Sequence, residues 1–270
     1  MKISEANRYP LGDDAERLLL QTQTEQDLIA KLLSEINIQP TDKVLDLGSG
    51  AGDITSQIAQ KASSVIGVDK TPEQIIAAIQ SASQRKIANV EYILGDAEHI
   101  PLPDDQFDIS FSRYVFEYLN DPLKALKELI RVTKPEGQVA IHDFNGWTFR
   151  GLPKHLQRQL YAILDHVGVN YRIGSQLEDL FKQAGLTNIR VAQFQHNEVK
   201  RNAPAGIVAD WESRLEKMRS AALEIFQNPE AVDDFESNMM GWIRDNRDPK
   251  KHMHTNSFLV IGTVAEKASV

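Results

Sequence analysis

The segment with the strongest chemical signal is a glycine-rich turn that follows a short apolar stretch. Gly48, Gly50 and Gly52 lie at alternate positions within the run Val44–Asp53. Glycine lets the backbone turn sharply and lets a ligand approach where a Cβ would collide. The amphipathic stretch from Ile54 predicts a helix whose N-terminal amides and positive dipole end would face that ligand. We therefore expect a cofactor to lie across this turn.

The spacing of these glycines argues against a dinucleotide. A dinucleotide loop has the pattern G-x-G-x-x-G, which seats the pyrophosphate on the helix. Here the third glycine comes one residue early, and Asp53 stands where the pattern requires glycine. Its carboxylate would repel a pyrophosphate, so a nicotinamide cofactor is disfavoured. A G-x-G-x-G run is weak evidence by itself, and the acids that follow it carry the interpretation further.

Three aspartates accompany the glycine turn. Asp46 lies in the first predicted strand, Asp69 ends the second, and Asp96 follows the third. An acid in the position of Asp69 can accept hydrogen bonds from ribose hydroxyls, and one in the position of Asp96 can accept a bond from an adenine amino group. Each acid alone is also typical of a helix cap or turn. Together, at one edge of a parallel sheet, they predict a nucleoside site.

Short apolar runs alternate with amphipathic stretches between residues 41 and 143, which predicts a parallel sheet with helices on both faces. The predicted strands are Lys43–Leu47, Ser64–Val68, Val90–Leu94, Phe107–Phe111 and Gln138–His142, and the predicted helices are Ile54–Lys61, Pro72–Arg85 and Pro122–Val132. A turn at Pro135–Gly137 separates the last of these helices from the last of these strands.

The flanks of this alternating region are mostly helical in character. The predicted elements are a helical segment up to Pro40, helices Leu152–His166 and Ser175–Ala184, a strand Asn188–Phe194, a long helical segment Ala205–Arg247 and a last strand Ser257–Val264. The apolar stripe of the first segment indicates a helix packed on a core, with a partner-binding helix as the alternative. About fifty residues between the last two strands exceed a hairpin loop of ~2–5 residues, so they predict a substructure.

Composition limits the function classes. The chain has 270 residues, 30 Lys and Arg against 38 Asp and Glu, and no cysteine. The net charge of −8 argues against a nucleic-acid partner. The lack of cysteine excludes disulfides, thiol catalysis and thiolate zinc sites. No apolar leader or membrane-spanning run is visible, so we expect a cytoplasmic protein without a membrane span.

The runs VLDLGSGAGDIT, VIGVD, GDAEHIPLPDDQFD and LKELIRVTKPEGQVAIHD together resemble the class I S-adenosylmethionine-dependent methyltransferases. They are similar in particular to the small-molecule branch around ubiquinone/menaquinone biosynthesis and natural-product methyltransferases. The resemblance is strong over residues 40–143 and loose in the flanks. It implies an α/β fold with a Rossmann-like, doubly wound seven-stranded sheet, the last strand antiparallel, and helical cap or lid elements.

The resemblance also implies which residues hold S-adenosylmethionine. Gly48, Ser49 and Gly50 would bracket its methionine part, Asp69 would hold the ribose and Lys70 would flank the adenine. Asp96 would take the adenine amino group, Ala97 would add backbone contacts, Arg113 would reach the methionine end or shape the substrate mouth, and Asp46 would order the loop or reach the amino group through water.

Methyl transfer from a sulfonium is an in-line displacement, so positioning supplies most of the rate and a base is needed only for a hydroxyl or a protonated amine. The candidate bases are His142, Asp143 and Glu117, and strand alternation could equally turn His142 away from the site. Candidates for contact with the acceptor or for a lid are Tyr9, Arg17, Gln21, Tyr114, His196 and Trp211, each with core packing or a surface position as the alternative. No metal is expected.

These features predict a methyltransferase that acts on a small-molecule acceptor. Ser112–Val115 occupy the place where amino-methylating DNA and RNA enzymes of this fold carry a Pro-Pro-aromatic loop, so a polynucleotide acceptor is disfavoured. The alternatives are a non-catalytic partner protein that binds S-adenosylmethionine and a nicotinamide-dependent oxidoreductase. The predicted organisation is an N-terminal helical lid at 1–40, a cofactor domain at 41–200 and 255–266, and a helical insertion at 201–254 covering the substrate site.

Overall fold

The structure, a computed structural model, describes residues 25–199, 203–244 and 252–266. The helices are α1 (Gln26–Ile36), α2 (Asp53–Ala59), α3 (Pro72–Gln84), α4 (Pro122–Val132), α5 (Lys154–Val167), α6 (Ile173–Gln183), α7 (Ala205–Phe226) and α8 (Pro229–Arg244). The strands are β1 (Lys43–Leu47), β2 (Ser64–Asp69), β3 (Val90–Leu94), β4 (Phe107–Arg113), β5 (Thr133–Arg150), β6 (Thr187–Val199) and β7 (His252–Thr263). A short 3-10 helix spans Phe116–Tyr118.

The strands form one seven-stranded sheet in the order β3-β2-β1-β4-β5-β7-β6. Parallel pairing joins β1 to β2, β1 to β4, β2 to β3 and β4 to β5. The last strand runs antiparallel. The chain therefore winds outward from β1 in both directions, which confirms the predicted doubly wound α/β fold. This order brings the carboxyl ends of β1, β2, β4 and β5 to one edge.

Each face of the sheet carries its own apolar core. On one face Leu45 and Leu47 of β1 share a core with Leu126 of α4 and Phe181 of α6. On the other face the neighbouring Val44 packs with α1 and α2. This alternation along β1 follows from the period of two in a strand. Helix α1 contributes five buried residues to the second core, in agreement with the packed-helix interpretation of its apolar stripe.

Several segments differ from their sequence-based expectation. The last three strands, β5, β6 and β7, extend beyond the predicted Gln138–His142, Asn188–Phe194 and Ser257–Val264. The predicted turn at Pro135–Gly137 lies inside β5 as an irregularity, because the register to β4 shifts between Phe107 and Ile109 and Glu136 has a left-handed φ of 65°. The long helical segment is two helices, since Gln227 ends α7 with a left-handed φ of 51° and Pro229 begins α8. Proline favours the first turn of a new helix and cannot continue an old one.

The chain divides into two compact units. Within the described residues, the first comprises residues 26–145, 172–194 and 257–266, and the second comprises residues 25, 146–171, 195–199, 203–244 and 252–256. Three of the divisions fall inside β5, β6 and β7. The predicted organisation into a lid at 1–40, a cofactor domain and an insertion at 201–254 stays a prediction.

The second unit is held together by aromatic rings. Trp211 of α7 lies 4.9 Å from Trp147 and 5.9 Å from Phe149 between ring centroids, and Trp242 of α8 lies 5.7 Å from Phe149. All four rings are buried. Aromatic pairs at such separations contribute about 0.5–1.5 kcal/mol beyond their buried area.

Among the described residues, no helix combines the length and the apolar character that a membrane span requires.

Candidate functional site

The glycine turn between β1 and α2 adopts a backbone that other residues rarely take. Gly48, Gly50 and Gly52 have φ values of 76°, 51° and 83°. A Cβ on Gly48 would lie 2.1 Å from Val115 Cγ2, and one on Gly52 would lie 2.3 Å from the Tyr92 hydroxyl oxygen. The left-handed conformation and the close neighbours both exclude a side chain at these two positions.

The turn is tied to β2 by backbone hydrogen bonds. The amides of Gly48 and Ser49 donate to the Val68 carbonyl at 2.7 Å and 3.1 Å. Asp69 accepts from the Gly50 amide through Oδ2 and from the Thr71 amide through Oδ1, at 2.9 Å each. A carboxylate oxygen can accept more than one bond, so the half-buried Asp69 retains capacity for a ligand.

A buried hydroxyl lies within the same turn. Ser49 is only 8% exposed, and its Oγ has no hydrogen-bond partner in the described part of the chain. A buried polar group without a partner costs about 1–3 kcal/mol. The turn therefore combines left-handed glycines with an unsatisfied hydroxyl, an arrangement suited to a polar ligand in close contact with the backbone.

Asp46 is buried directly beneath this turn. Thr55 of α2 donates a hydrogen bond from Oγ1 to Asp46 Oδ2 at 2.6 Å. The pKa of Asp46 is raised from 3.8 to about 6, mainly by burial and also by the negative charge of Asp69, although the Thr55 bond and the positive charge of Arg113 oppose the rise. A cation placed beside Asp46 would restore its charged form.

The predicted adenine-side residues lie in the two loops that follow β2 and β3. Lys70 is exposed immediately after Asp69. Asp96 is exposed, accepts from the Glu98 amide at 2.7 Å and forms an isolated bridge with His99. Ala97 is buried. The roles of these residues toward a cofactor stay predictions.

A second group of side chains meets where the end of β4 pairs with β5. Arg113 pairs in register with His142, and its guanidinium lies 4.1 Å from the centroid of the Tyr114 ring. The Tyr114 ring lies 5.1 Å from the His142 ring. His142 is fully buried, and its Nε2 lies 2.8 Å from Ser257 Oγ of β7.

The two acidic candidates are also buried. Asp143 is 0% exposed and Glu117, in the 3-10 helix, is 7% exposed. Asp143 Oδ2 accepts from the Phe116 amide at 2.8 Å, and Oδ1 accepts from the Phe144 amide at 2.7 Å. Burial raises the pKa of Asp143, and these backbone amides oppose that rise.

The remaining candidates lie elsewhere. His196 belongs to the second unit, where its Nε2 lies 3.2 Å from Glu25 Oε1. Trp211 belongs to the aromatic cluster of that unit. The predicted lid residues Tyr9, Arg17 and Gln21 lie outside the described residues.

Sequence reasoning did not find four residues that shape the site. Tyr92 of β3 fills the space above Gly67 and Gly52, Thr55 bonds Asp46, Val115 covers Gly48 and Ser257 contacts His142. Gly67, inside the apolar strand β2, was an available signal for Tyr92, because glycine within a strand often marks close approach of another group. The other three depend on pairings that the sequence does not display.

The fold and the glycine turn define the class of this protein, a nucleoside-cofactor domain of the doubly wound α/β type. The family described as "Methyltransferase domain" matches residues 38–203, and the chain belongs to this family. The match confirms the predicted family and fold. The predicted enzyme class and the cofactor S-adenosylmethionine are those that the family implies.

Several relatives resemble the chain. The uncharacterized methyltransferase YcgJ of Bacillus subtilis (strain 168) is 38% identical over 138 residues, which are 51% of this chain and 54% of that protein. The ubiquinone/menaquinone biosynthesis C-methyltransferase UbiE of Vibrio vulnificus (strain YJ016) is 31% identical over 134 residues, 48% of this chain and 52% of that protein. The chain thus spans about half the length of these relatives.

Solved structures resemble the fold over a longer stretch. The crystal structure of the YcgJ protein superposes with a TM-score of 0.62 at 20% identity and covers 90% of this chain and 100% of that one. A phosphoethanolamine N-methyltransferase 2 of Haemonchus contortus, in complex with S-adenosyl-L-methionine, gives a TM-score of 0.62 at 16% identity, over 99% of this chain and 61% of that one. At these identities the likeness concerns the fold alone.

Proposed function

We propose that this chain is an S-adenosylmethionine-dependent methyltransferase that transfers the methyl group in line to a small-molecule acceptor. The observation that carries the proposal is the glycine turn, with its left-handed backbone, its buried Ser49 hydroxyl and its bond from the Gly50 amide to Asp69. The family to which the chain belongs supports the same cofactor.

The residues present fit this cofactor. Gly48, Ser49 and Gly50 would hold its amino-acid end against the backbone, where the unsatisfied Ser49 hydroxyl offers a bond. Asp69 would bind the ribose hydroxyls, and Asp96 and Lys70 would flank the base. Asp46 would face the positive charge of the cofactor, either directly or through the order it imposes on the turn. S-adenosylmethionine supplies, when bound, a methyl group on a positively charged sulfur.

The contribution of the chain to such a reaction is mainly positional. A preformed turn holds one partner of the reaction, so the acceptor needs only to be aligned and shielded from water. His142 and Glu117 are the candidate bases if the acceptor must lose a proton. Both are buried in this structure, so either would act only on an acceptor that reaches them.

A small-molecule acceptor is favoured over a polynucleotide. The net charge of −8 does not suit a polyphosphate chain. Among the relatives, UbiE is named for methylation in quinone biosynthesis. A cytoplasmic location remains part of the proposal.

Ligand binding tests the cofactor. We expect S-adenosylhomocysteine to raise the melting temperature and to bind in calorimetry, and NADH to do neither. Gly50→Val should abolish binding and Asp69→Ala should weaken it by about 10- to 100-fold, because a charge-assisted bond is lost. The matched control is Gly185→Val, which places a side chain on another left-handed glycine with nothing within 4 Å of its Cβ. Failure of both ligands to bind the wild-type protein would overturn the assignment.

Transfer to an acceptor tests the activity. We expect methyl-labelled S-adenosylmethionine to label a component of a small-molecule extract, and the label to disappear with Gly50→Val. Binding of S-adenosylhomocysteine without label transfer to small molecules, RNA or protein would favour the non-catalytic alternative.

A further inference from the structure

The buried carboxylate of Asp143 accepts hydrogen bonds from backbone amides of the same fold. Its two oxygens accept from the amides of Phe116 and Phe144 at 2.8 Å and 2.7 Å. The backbone amides of Val115 and Glu117 also lower the pKa of this carboxyl group. Three of these four amides belong to the loop that follows β4. A single side chain from β5 therefore gathers consecutive amides of a loop that lies 27 residues away in sequence.

That loop in turn contacts the glycine turn. Val115 Cγ2 lies 2.1 Å from the position that a Cβ on Gly48 would take, so the valine methyl group rests directly on the glycine Cα. Gly48 and Ser49 are held from the opposite side by the Val68 carbonyl. The conformation of the turn is thus confined between β2 and Val115.

The part of β5 that carries Asp143 is held in place by α6. A Cβ on Gly174 of α6 would lie 2.9 Å from both the Asp143 and the Phe144 carbonyl oxygens. The Ser175 amide donates to Asn145 Oδ1 at 3.0 Å. Helix α6 therefore packs directly against the backbone of residues 143–145. This contact fixes the position of the Asp143 backbone, from which the carboxylate reaches the loop.

We propose that Asp143 is a positioning residue that fixes the cofactor turn through the loop after β4, by way of Val115 on Gly48. In this role it touches neither the cofactor nor the acceptor. The role replaces that of a general base, because a base must reach the acceptor, whereas Asp143 is fully buried and directs both oxygens to backbone amides. The inference rests on the proposed function only in that it requires S-adenosylhomocysteine to bind.

A double-mutant cycle on S-adenosylhomocysteine affinity tests this coupling. Asp143→Asn keeps the shape of the side chain but turns an amide donor toward backbone donors, which releases part of the loop. We expect the dissociation constant of the folded protein, measured by calorimetry, to rise about tenfold. Val115→Ala should raise it about threefold, and the double variant should bind no more weakly than Asp143→Asn alone.

The matched control is Thr133→Val at the start of β5. It removes two other buried hydrogen bonds, the one that Thr133 Oγ1 donates to the Leu129 carbonyl and the one that it accepts from Ser110 Oγ of β4. It should lower the melting temperature and leave the dissociation constant unchanged. This contrast separates positioning from general stabilisation, because a merely structural residue would lower stability without changing the affinity of the folded fraction.

The outcomes are distinguishable. If the wild-type protein does not bind S-adenosylhomocysteine, the proposed function fails. If it binds and Asp143→Asn binds equally well, or if the two substitutions act additively, the coupling through Val115 is refuted. If Asp143→Asn does not fold, Val115→Ala decides the matter, and wild-type affinity in that variant would overturn the inference.

Discussion

The glycine turn after β1 and the group of side chains where β5 passes the end of β4 are neighbours in the fold and use their polar groups in different ways. In the turn, Ser49 keeps an unsatisfied hydroxyl and Asp69 keeps capacity for further bonds. Within β5, Asp143 accepts amides through both oxygens and His142 lies against Ser257. The first region keeps hydrogen-bonding capacity, whereas in the second Asp143 and His142 bond groups of the same fold.

The difference teaches that a carboxylate that comes directly after an apolar run has two possible uses. Asp69 and Asp143 both follow apolar runs in the sequence and both bond backbone amides, and sequence patterns do not distinguish them. What separates them is burial, since Asp69 is half-buried while Asp143 has no exposure. Fully buried carboxylates are typically committed to internal partners.

The largest expected effect comes from filling the turn. Gly52→Ala should destabilise the protein by about 2–5 kcal/mol, because the new Cβ combines left-handed strain with overlap of the Tyr92 hydroxyl. Gly185→Ala, which adds the strain without the overlap, should cost only about 1–2 kcal/mol. Urea denaturation measures both. Equal losses would show that the turn is less tightly enclosed than the structure indicates.

The next effect concerns the buried acid beneath the turn. The folded pKa of Asp46, about 6, lies above its ordinary value of 3.8, so the folded state binds this proton more tightly. Its contribution to stability is complete below pH 3.8 and is lost as the pH rises through about 6, by about 3 kcal/mol. Asp46→Asn should remove this pH dependence from denaturation measured without ligand. An unchanged slope between pH 4 and 7 would show that Asp46 does not titrate there.

How far the sequence alone predicted the site depends on the range of the interactions. The glycine turn, Asp69 and the order of β1 to β5 were predictable, because each rests on local spacing. The hydrogen bonds of Asp143 to backbone amides were not predictable, because they depend on the register that sets β5 beside β4 and on the loop that follows β4. The break at Gln227 was also missed, although Pro229 was a local signal for it.

A smaller effect is expected for the buried side chains around His142. Ser257→Ala removes the partner at 2.8 Å from the buried ring of His142, and the expected loss is about 1–2 kcal/mol. Affinity for S-adenosylhomocysteine should remain that of the wild type, in contrast to Asp143→Asn. A loss of affinity would show that the contact between His142 and Ser257, as well as Asp143, is coupled to the glycine turn. Denaturation and calorimetry on the same sample give both values.

The smallest effect comes from the outer side of the turn. Arg85 and Asp53 form an ion pair at 2.6 Å, but the Arg85 side chain is 48% exposed. Solvent screening limits such a pair, so Arg85→Ala should cost at most about 1 kcal/mol and less at high salt. A larger loss of stability in thermal unfolding, independent of salt, would show that solvent screening does not limit the pair between Arg85 and Asp53.

The close approach of α6 to the end of β5 has a consequence for sequence tolerance. A side chain at position 174 would meet two carbonyl oxygens at 2.9 Å, and backbone, unlike a flexible side chain, cannot move aside cheaply. A selection from all twenty amino acids at this position should therefore return glycine. Alanine at this position should be selected only together with compensating changes in neighbouring helix residues. Substitution of Gly174 is therefore a way to obtain temperature-sensitive variants.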